Sequence, residues 1–164
     1  IRVPMLVKWP AKIKPGTTFA GAAGHVDIFA TAASAAGAEL PKDKPLDGVN
    51  LVPFITGEAT GAPHEAMFWR SGPYKVLRAG DWKLQINGKQ GKTWLYNLAA
   101  DPTEQTNLAA ANPAKRKQRE APIAAHQRGR RAPLYPSTFS FPASIDHTLA
   151  TSFKPGEEFI YWPN

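Results

Sequence analysis

The stretch from Tyr74 to Ile86 constrains the fold most. Two apolar-rich runs, Tyr74 to Arg78 and Trp82 to Ile86, flank Ala79-Gly80-Asp81. Apolar runs separated by a Gly/Asp turn form a β-hairpin, and Gly80 can take the positive φ that such a turn requires. In the second arm Trp82, Leu84 and Ile86 alternate with Lys83 and Gln85, which predicts one buried face. Met67-Phe68-Trp69 and Trp94-Leu95-Tyr96 are further strand candidates on either side. Consecutive strands with short connections pair antiparallel, so a small antiparallel sheet is expected here.

The segments around this sheet differ in character. Met5-Leu6-Val7-Lys8-Trp9, closed by Pro10, predicts a buried strand. Lys12 to Gly16 is a polar turn. Asp27 precedes an alanine-rich run that stops at Gly37, which predicts a helix of about ten residues. Leu46-Asp47-Gly48 is a turn, and an apolar piece follows from Val49 to Ile55. Asn112-Pro113 starts a basic helix, since Asn suits the N-cap and Pro the first helical position. Pro122 is expected to break it. The tail, 133–164, is rich in Pro and aromatics and has little periodicity, so it is expected to wrap over a surface. A strand–helix piece ahead of a sheet-and-helix piece makes the fold class α/β plus α+β.

Chemistry is sparse. The 164 residues include no cysteine, which excludes a disulfide framework, a thiolate metal site and a cysteine nucleophile within the chain. His25 and Asp27 are two apart with no third ligand nearby, and His64 is followed only by Glu65, so no complete zinc or calcium site is visible. His25 reads as a loop residue at the helix start, and Asp27 as a cap or first-turn acid. No Gly-x-Ser-x-Gly elbow and no phosphate loop occurs. Lys8 and Lys83 are expected to snorkel outward from their strands. No apolar run approaches the roughly 18–20 residues of a membrane span.

The net charge of +7 is local. Residues 115–131 hold seven Lys and Arg against one acid, Glu120. Such a cluster can meet phosphate or sulfate groups. It has no interleaved aromatics and no zinc-finger or RNA-binding signature, so nucleic acid is not an expected partner, and a solvated helical face is the expectation.

Six ordered segments resemble the C-terminal part of the sulfatases, in the alkaline-phosphatase-like superfamily. Arg2-Val3-Pro4 with Trp9-Pro10 and Ile13 is similar to the stretch after the family's Glu-Gly-Gly turn. His25-Val26-Asp27-Ile28-Phe29, Thr31 and Ala36-Gly37 resemble its His-Ile-Asp-Ile-Phe-Pro-Thr helix, with Ala30 in place of proline. Leu46-Asp47-Gly48-Val49-Asn50-Leu51 and Gly57 match the next element. Leu77 to Leu84 resembles the family hairpin. Leu95-Tyr96-Asn97-Leu98, Asp101-Pro102 and Glu104 to Leu108 resemble the turn beyond it, with Asn97 in place of Asp. The ending from Gly156 to Asn164 is similar to the tail of bacterial arylsulfatase-type members.

The resemblance implies an organisation. Residues 1–57 would form the C-terminal edge of the large α/β domain, 58–132 a small subdomain of antiparallel sheet plus basic helix, and 133–164 a wrapping tail. It implies a parent enzyme that hydrolyses sulfate esters, with a formylglycine nucleophile and Ca²⁺ in the complete enzyme and neither within this chain. Ser140-Phe141-Pro142-Ala143-Ser144 lacks the arginine of the family's nucleophile motif. The chain alone is therefore expected to be inactive, with no catalytic residue and no metal ligand. Its expected partners are an N-terminal sulfatase portion and a sulfate-ester small molecule or sulfated glycan. A periplasmic or secreted location is implied by the family alone. The candidate substrate-binding residues are Trp69, Arg70 and Lys75, in a loop that lies near the family's pocket, and His64. The alternatives are a related phosphate or phosphonate ester hydrolase, and a non-catalytic module that binds polyanions through residues 115–131.

Overall fold

A computed structural model describes residues 3–128, 130, 131, 135, 140–144 and 159–163. The chain divides into two compact units, Ile1–Glu65 and Ala66–Asn164.

The first unit is built from α1 (Asp27–Ala35), α2 (Val52–Thr56) and their connecting loops. Helix α1 ends around Gly37 in a Schellman arrangement. The Gly37 amide donates to the Ser34 carbonyl at 3.1 Å, and the Ala38 amide donates to the Ala33 carbonyl at 2.9 Å. Two α1 side chains tie the segment before α2 to the helix. The Val49 amide donates to Asp27 Oδ1 at 2.9 Å, and the Leu51 amide donates to Thr31 Oγ1 at 3.1 Å. Gly48 permits this approach, because a Cβ there would collide with the Val26 carbonyl.

Residues Met5 to Trp9 form no strand in this unit, contrary to the pattern of the run. Met5, Leu6 and Val7 are exposed, Leu6 at 96%. A strand needs a neighbour to pair its N–H and C=O groups, and the described residues of the first unit contain none. Val26, Ile28 and Phe29 are also exposed, while α1 buries Asp27 and Ala30.

The second unit is a four-stranded antiparallel meander: β1 (Met67–Ser71), β2 (Tyr74–Ala79), β3 (Trp82–Asn87) and β4 (Lys92–Asn97), in spatial order β1-β2-β3-β4. The hairpin at Gly80-Asp81 pairs Ala79 with Trp82. Gly80 has φ of 57° while Asp81 stays at negative φ, the pattern of a type II′ turn. On one face Leu77, Ala79, Leu84 and Leu95 pack with Ala109 and with Ile123 of α3 (Pro113–Gln127). On the other face Tyr74, Val76, Trp94 and Tyr96 cluster with Trp69 and Leu98.

Both faces are thus buried, where the alternation in β3 predicts one. Lys83 and Gln85 are 6% and 2% exposed. Lys83 does not snorkel outward: its Nζ donates to Glu104 Oε1 and Oε2 at 2.7 and 2.6 Å. Burial of the cation is tolerated because its carboxylate partner sits in the loop folded over that face.

Helix α3 runs through Pro122 rather than breaking there. A proline inside a helix costs about 3 kcal/mol through the lost hydrogen bond and the ring clash. Packing on both sides of it offsets that cost. Ile123 is buried, His126 stacks on Phe68 with ring centroids 4.0 Å apart, and Lys115 Nζ lies 5.5 Å from the Trp82 ring centre. The tail expected to wrap over 133–164 lies largely outside the described residues. Its described parts, β5 (Ser140–Ser144) and β6 (Phe159–Pro163), pair antiparallel.

Candidate functional site

The candidate site of the second unit is a pocket of about 210 Å³ at the β1 edge of the sheet. One wall comes from the β1–β2 hairpin, whose register sets Arg70 beside Lys75 on neighbouring strands. Phe68 lies two residues earlier on the same face as Arg70. Gly72-Pro73 closes the hairpin, and Arg70 Nε donates to the Gly72 carbonyl at 3.4 Å, which holds the guanidinium beside the turn. The other wall is the end of α3 and the residues after it: Ile123, His126, Gln127, Arg130 and Arg131. The stacked Phe68 and His126 rings, 4° from parallel, join the two walls.

Among the described residues the lining therefore carries four cations, Arg70, Lys75, Arg130 and Arg131, with the Phe68 ring as aromatic surface and no carboxylate, while the Trp69 ring packs with the cluster on the other face of the sheet. Drug-sized ligands occupy about 300–1,000 Å³, so this pocket matches a single ring with its substituents. Arginines beside a ring suit an anionic ring-bearing ligand, because guanidinium binds sulfate-type oxygens through paired N–H donors.

Three of the four sequence-derived candidates, Trp69, Arg70 and Lys75, line this pocket together. His64 lies in the first unit instead. Its Nε2 is 2.7 Å from Asp27 Oδ1, with Asp27 fully buried and the His64 side chain 9% exposed. Asp27 Oδ2 also accepts the Gly24 amide at 2.8 Å. The carboxylate thus links residues 24, 49 and 64, and His64 serves a structural cluster. Asp27 is the first-turn acid of α1, one of the two roles expected for it, and it makes no side-chain cap bond there.

The α3 wall of the pocket holds none of the four candidate substrate-binding residues. Its signal in the sequence is the basic segment 115–131, expected to be a solvated face, with polyanion binding as the alternative. The structure divides that segment by role. Lys115 covers Trp82, Arg116 pairs with Glu120 at 2.7 Å, Lys117 and Arg128 face solvent, and Arg130 and Arg131 reach the pocket.

Behind the sheet a polar chain crosses the buried face. Tyr74 Oη donates to Gln85 Oε1, Gln85 Nε2 donates to Glu104 Oε2 at 2.8 Å, and Lys83 grips the same carboxylate. Burial, then the Glu104 charge, raises the Tyr74 pKa well above the usual phenol value. Asp101 caps the loop: Oδ1 accepts the Gln105 amide at 3.0 Å and Oδ2 the Thr106 amide at 2.8 Å. These bonds, Gln105 first, hold its pKa below the usual carboxylate value. Among the described residues no three His, Asp or Glu side chains gather as a metal site requires.

Comparison with known proteins gives these features a context. The family described as "N-sulphoglucosamine sulphohydrolase, C-terminal" matches residues 1–122. Mouse (Mus musculus) steryl-sulfatase is 42% identical over 82 residues, covering 50% of this chain and 13% of that protein. Arylsulfatase A of Bos taurus is 36% identical over 118 residues, covering 69% of this chain and 22% of that protein. Among solved structures, Ps i-CgsB superposes with a TM-score of 0.66 at 21% identity, over 78% of this chain and 29% of its own. At that identity the likeness bears on the fold alone. The chain spans well under a third of the length of each of these proteins.

Proposed function

The chain belongs to the sulfatase C-terminal family, with the C-terminal part of an alkaline-phosphatase-like fold, and from that premise we propose that it completes an enzyme hydrolysing sulfate esters. In this proposal the chain itself supplies scaffold and substrate contacts. The observation that supports a substrate-facing role is the pocket's four cations beside the Phe68–His126 stack, with no carboxylate among the described lining residues. Arg70 and Lys75 would meet the anionic group of a substrate; the stacking role expected for Trp69 is not carried, because its ring packs on the other face of the sheet.

The first unit supports a role as the seat of an N-terminal sulfatase portion. Val3, Leu6, Ile28 and Phe29 expose apolar surface that a larger domain would cover. The relatives are several times longer than this chain, which leaves room for such a portion. Formylglycine and Ca²⁺, which the proposed chemistry calls for, do not fit the residues here. The chain has no cysteine, and no acidic or histidine cluster is present among the described residues. We place both in the N-terminal portion and route no step through them here. The substrate would be a sulfated glycan or a smaller sulfate ester. A charged polymer does not cross a bilayer unaided, which supports a periplasmic or secreted location. No helix among the described residues is long and apolar enough to span a membrane.

The test is a comparison of the complete encoded enzyme with the 164-residue chain on an aryl sulfate and the matching aryl phosphate. The expected result is sulfate release by the complete enzyme and none by the chain. Turnover by the chain alone would overturn the placement of the chemistry. Hydrolysis of the phosphate but not the sulfate ester would favour a phosphate or phosphonate ester hydrolase instead.

A further inference from the structure

We propose that Arg78 of β2 is an anchor point for the N-terminal sulfatase portion, where its guanidinium meets a carboxylate side chain supplied by that portion. This goes beyond the functional reading above and rests on it only for the existence of such a portion.

Unmatched charge on one face of the sheet carries the proposal. Arg78 pairs across the ladder with Met67 of β1 on one side and Lys83 of β3 on the other. Side chains alternate along a strand, so Arg78 shares a face with Tyr74 and Val76, opposite to Lys75 and the pocket. Two cations, Arg78 and Lys83, therefore stand directly opposite each other on neighbouring strands, which destabilises a sheet unless anions offset it. Glu104 offsets one of them. Both of its oxygens accept from Lys83, and Oε2 also accepts from Gln85. Arg78 takes part in none of the ion pairs among the described residues. Its Nε is shut off from solvent without a hydrogen-bond partner, and the residue is half-buried. The cations Lys117 and Arg128, by contrast, are exposed. A guanidinium held as Arg78 is has given up hydration without gaining an acceptor. A carboxylate against its outer nitrogens would offset that cost through charge-assisted hydrogen bonds. The chain spans well under a third of the length of its relatives, so the larger part of such a protein lies outside it and is the source of the acid.

The test compares two variants in two settings. Arg78→Met keeps the apolar stem and removes the charge, and Arg78→Lys keeps the charge and removes the planar fork. Thermal unfolding midpoints are measured for both in the complete encoded enzyme and in the 164-residue chain. In the complete enzyme Arg78→Met is expected to lower the midpoint by about 3 °C or more, because it leaves the partner carboxylate unpaired. Arg78→Lys is expected to keep at least about half of that loss from appearing. In the chain alone Arg78→Met is expected to lower the midpoint by less than about 1 °C, or to raise it, because no partner is lost there. Far-ultraviolet circular dichroism verifies that each variant keeps the wild-type fold. Three results would overturn the proposal. One is a complete enzyme that Arg78→Met leaves unchanged. Another is a chain that loses as much as the complete enzyme, which would place the partner within the chain. The third is an Arg78→Lys enzyme that falls as far as Arg78→Met, which would make the charge irrelevant. The readout is stability without turnover. A complete enzyme inactive on sulfate esters would refute the functional reading while this result stood on its own.

Discussion

Glu104 is the position at which a single change should reveal most about how the sheet is held. It accepts from Lys83 at 2.6 and 2.7 Å and from Gln85 at 2.8 Å, across a face where Lys83 is 6% exposed. It also holds φ of 61°, the one positive φ among the described non-glycine residues. A left-handed L-residue costs about 1–2 kcal/mol. Removing one partner of a buried ion pair costs about 3–5 kcal/mol, because the other charge is left buried and unpaired. Glu104→Ala loses the pair and keeps the backbone strain, so it should destabilise by about 3–4 kcal/mol. Glu104→Gly loses the pair and relieves the strain, so it should be the milder change by about 1 kcal/mol. Lys83→Met keeps most of the buried stem and should cost about 3 kcal/mol. The double variant Lys83→Met with Glu104→Ala should cost at least about 2 kcal/mol less than the two singles together. Urea unfolding followed by tryptophan fluorescence measures all four. With a slope of about 1–3 kcal/mol per molar, a loss of 3 kcal/mol moves the midpoint by about 1 M or more. A coupling below about 0.5 kcal/mol would refute the buried-pair account. Equal stability of the Ala and Gly variants would refute the strain account.

Other positions test other contacts. Asp27→Ala should release the 24, 49 and 64 segments together, because one carboxylate accepts from Gly24, Val49 and His64. The measurement is hydrogen exchange, with the Val49 and Gly24 amides expected to lose protection while amides of β2 and β3 keep theirs. Gly48→Ala should destabilise the first unit by about 2 kcal/mol or more, since its methyl meets backbone and the backbone must shift; thermal unfolding measures it. Asp101 has a depressed folded pKa from the Gln105 and Thr106 amides. Its contribution is therefore present above the unfolded carboxylate value, about 3.9, and is lost as pH falls through the lower folded value. Urea midpoints between pH 5 and pH 2.5 should fall more steeply for the wild type than for Asp101→Asn.

What could be read in the sequence was what depends on local partners. The Gly80 hairpin, the stop of α1 at Gly37 and the Asp101 turn each satisfy their backbone groups within a few residues, so short patterns identify them. Trp69, Arg70 and Lys75 were reachable through the family resemblance, which sets this hairpin near the family's pocket, and all three border one pocket because they lie on one short hairpin. The opposite wall could not be seen in the same way. Arg130 and Arg131 lie more than fifty residues on, and only the packing of α3, through Ile123 and the Phe68–His126 stack, brings them to it. Pro122 argued for a broken helix by local rules, and those same tertiary contacts override it.

Met5 to Trp9 and β3 show the two ways in which a pattern needs a partner. An apolar run such as Met5-Leu6-Val7 encodes burial, yet burial and pairing require a neighbouring strand, and without one the segment lies exposed. Lys83 and Gln85 encode exposure by their polarity, yet Glu104, reached through a loop some twenty residues later, supplies the charge and acceptors that let them be buried. In both cases the composition of the segment is correct for its chemistry and silent about its partner. The polar face of β3 and the apolar run at Met5 therefore carry opposite instructions. A polar strand face followed by an Asp-Pro-x-Glu turn should be examined for a buried ion pair. An apolar run with no strand beside it should be examined for the surface that would cover it, and here the exposed Leu6, Ile28 and Phe29 place that question on the first unit.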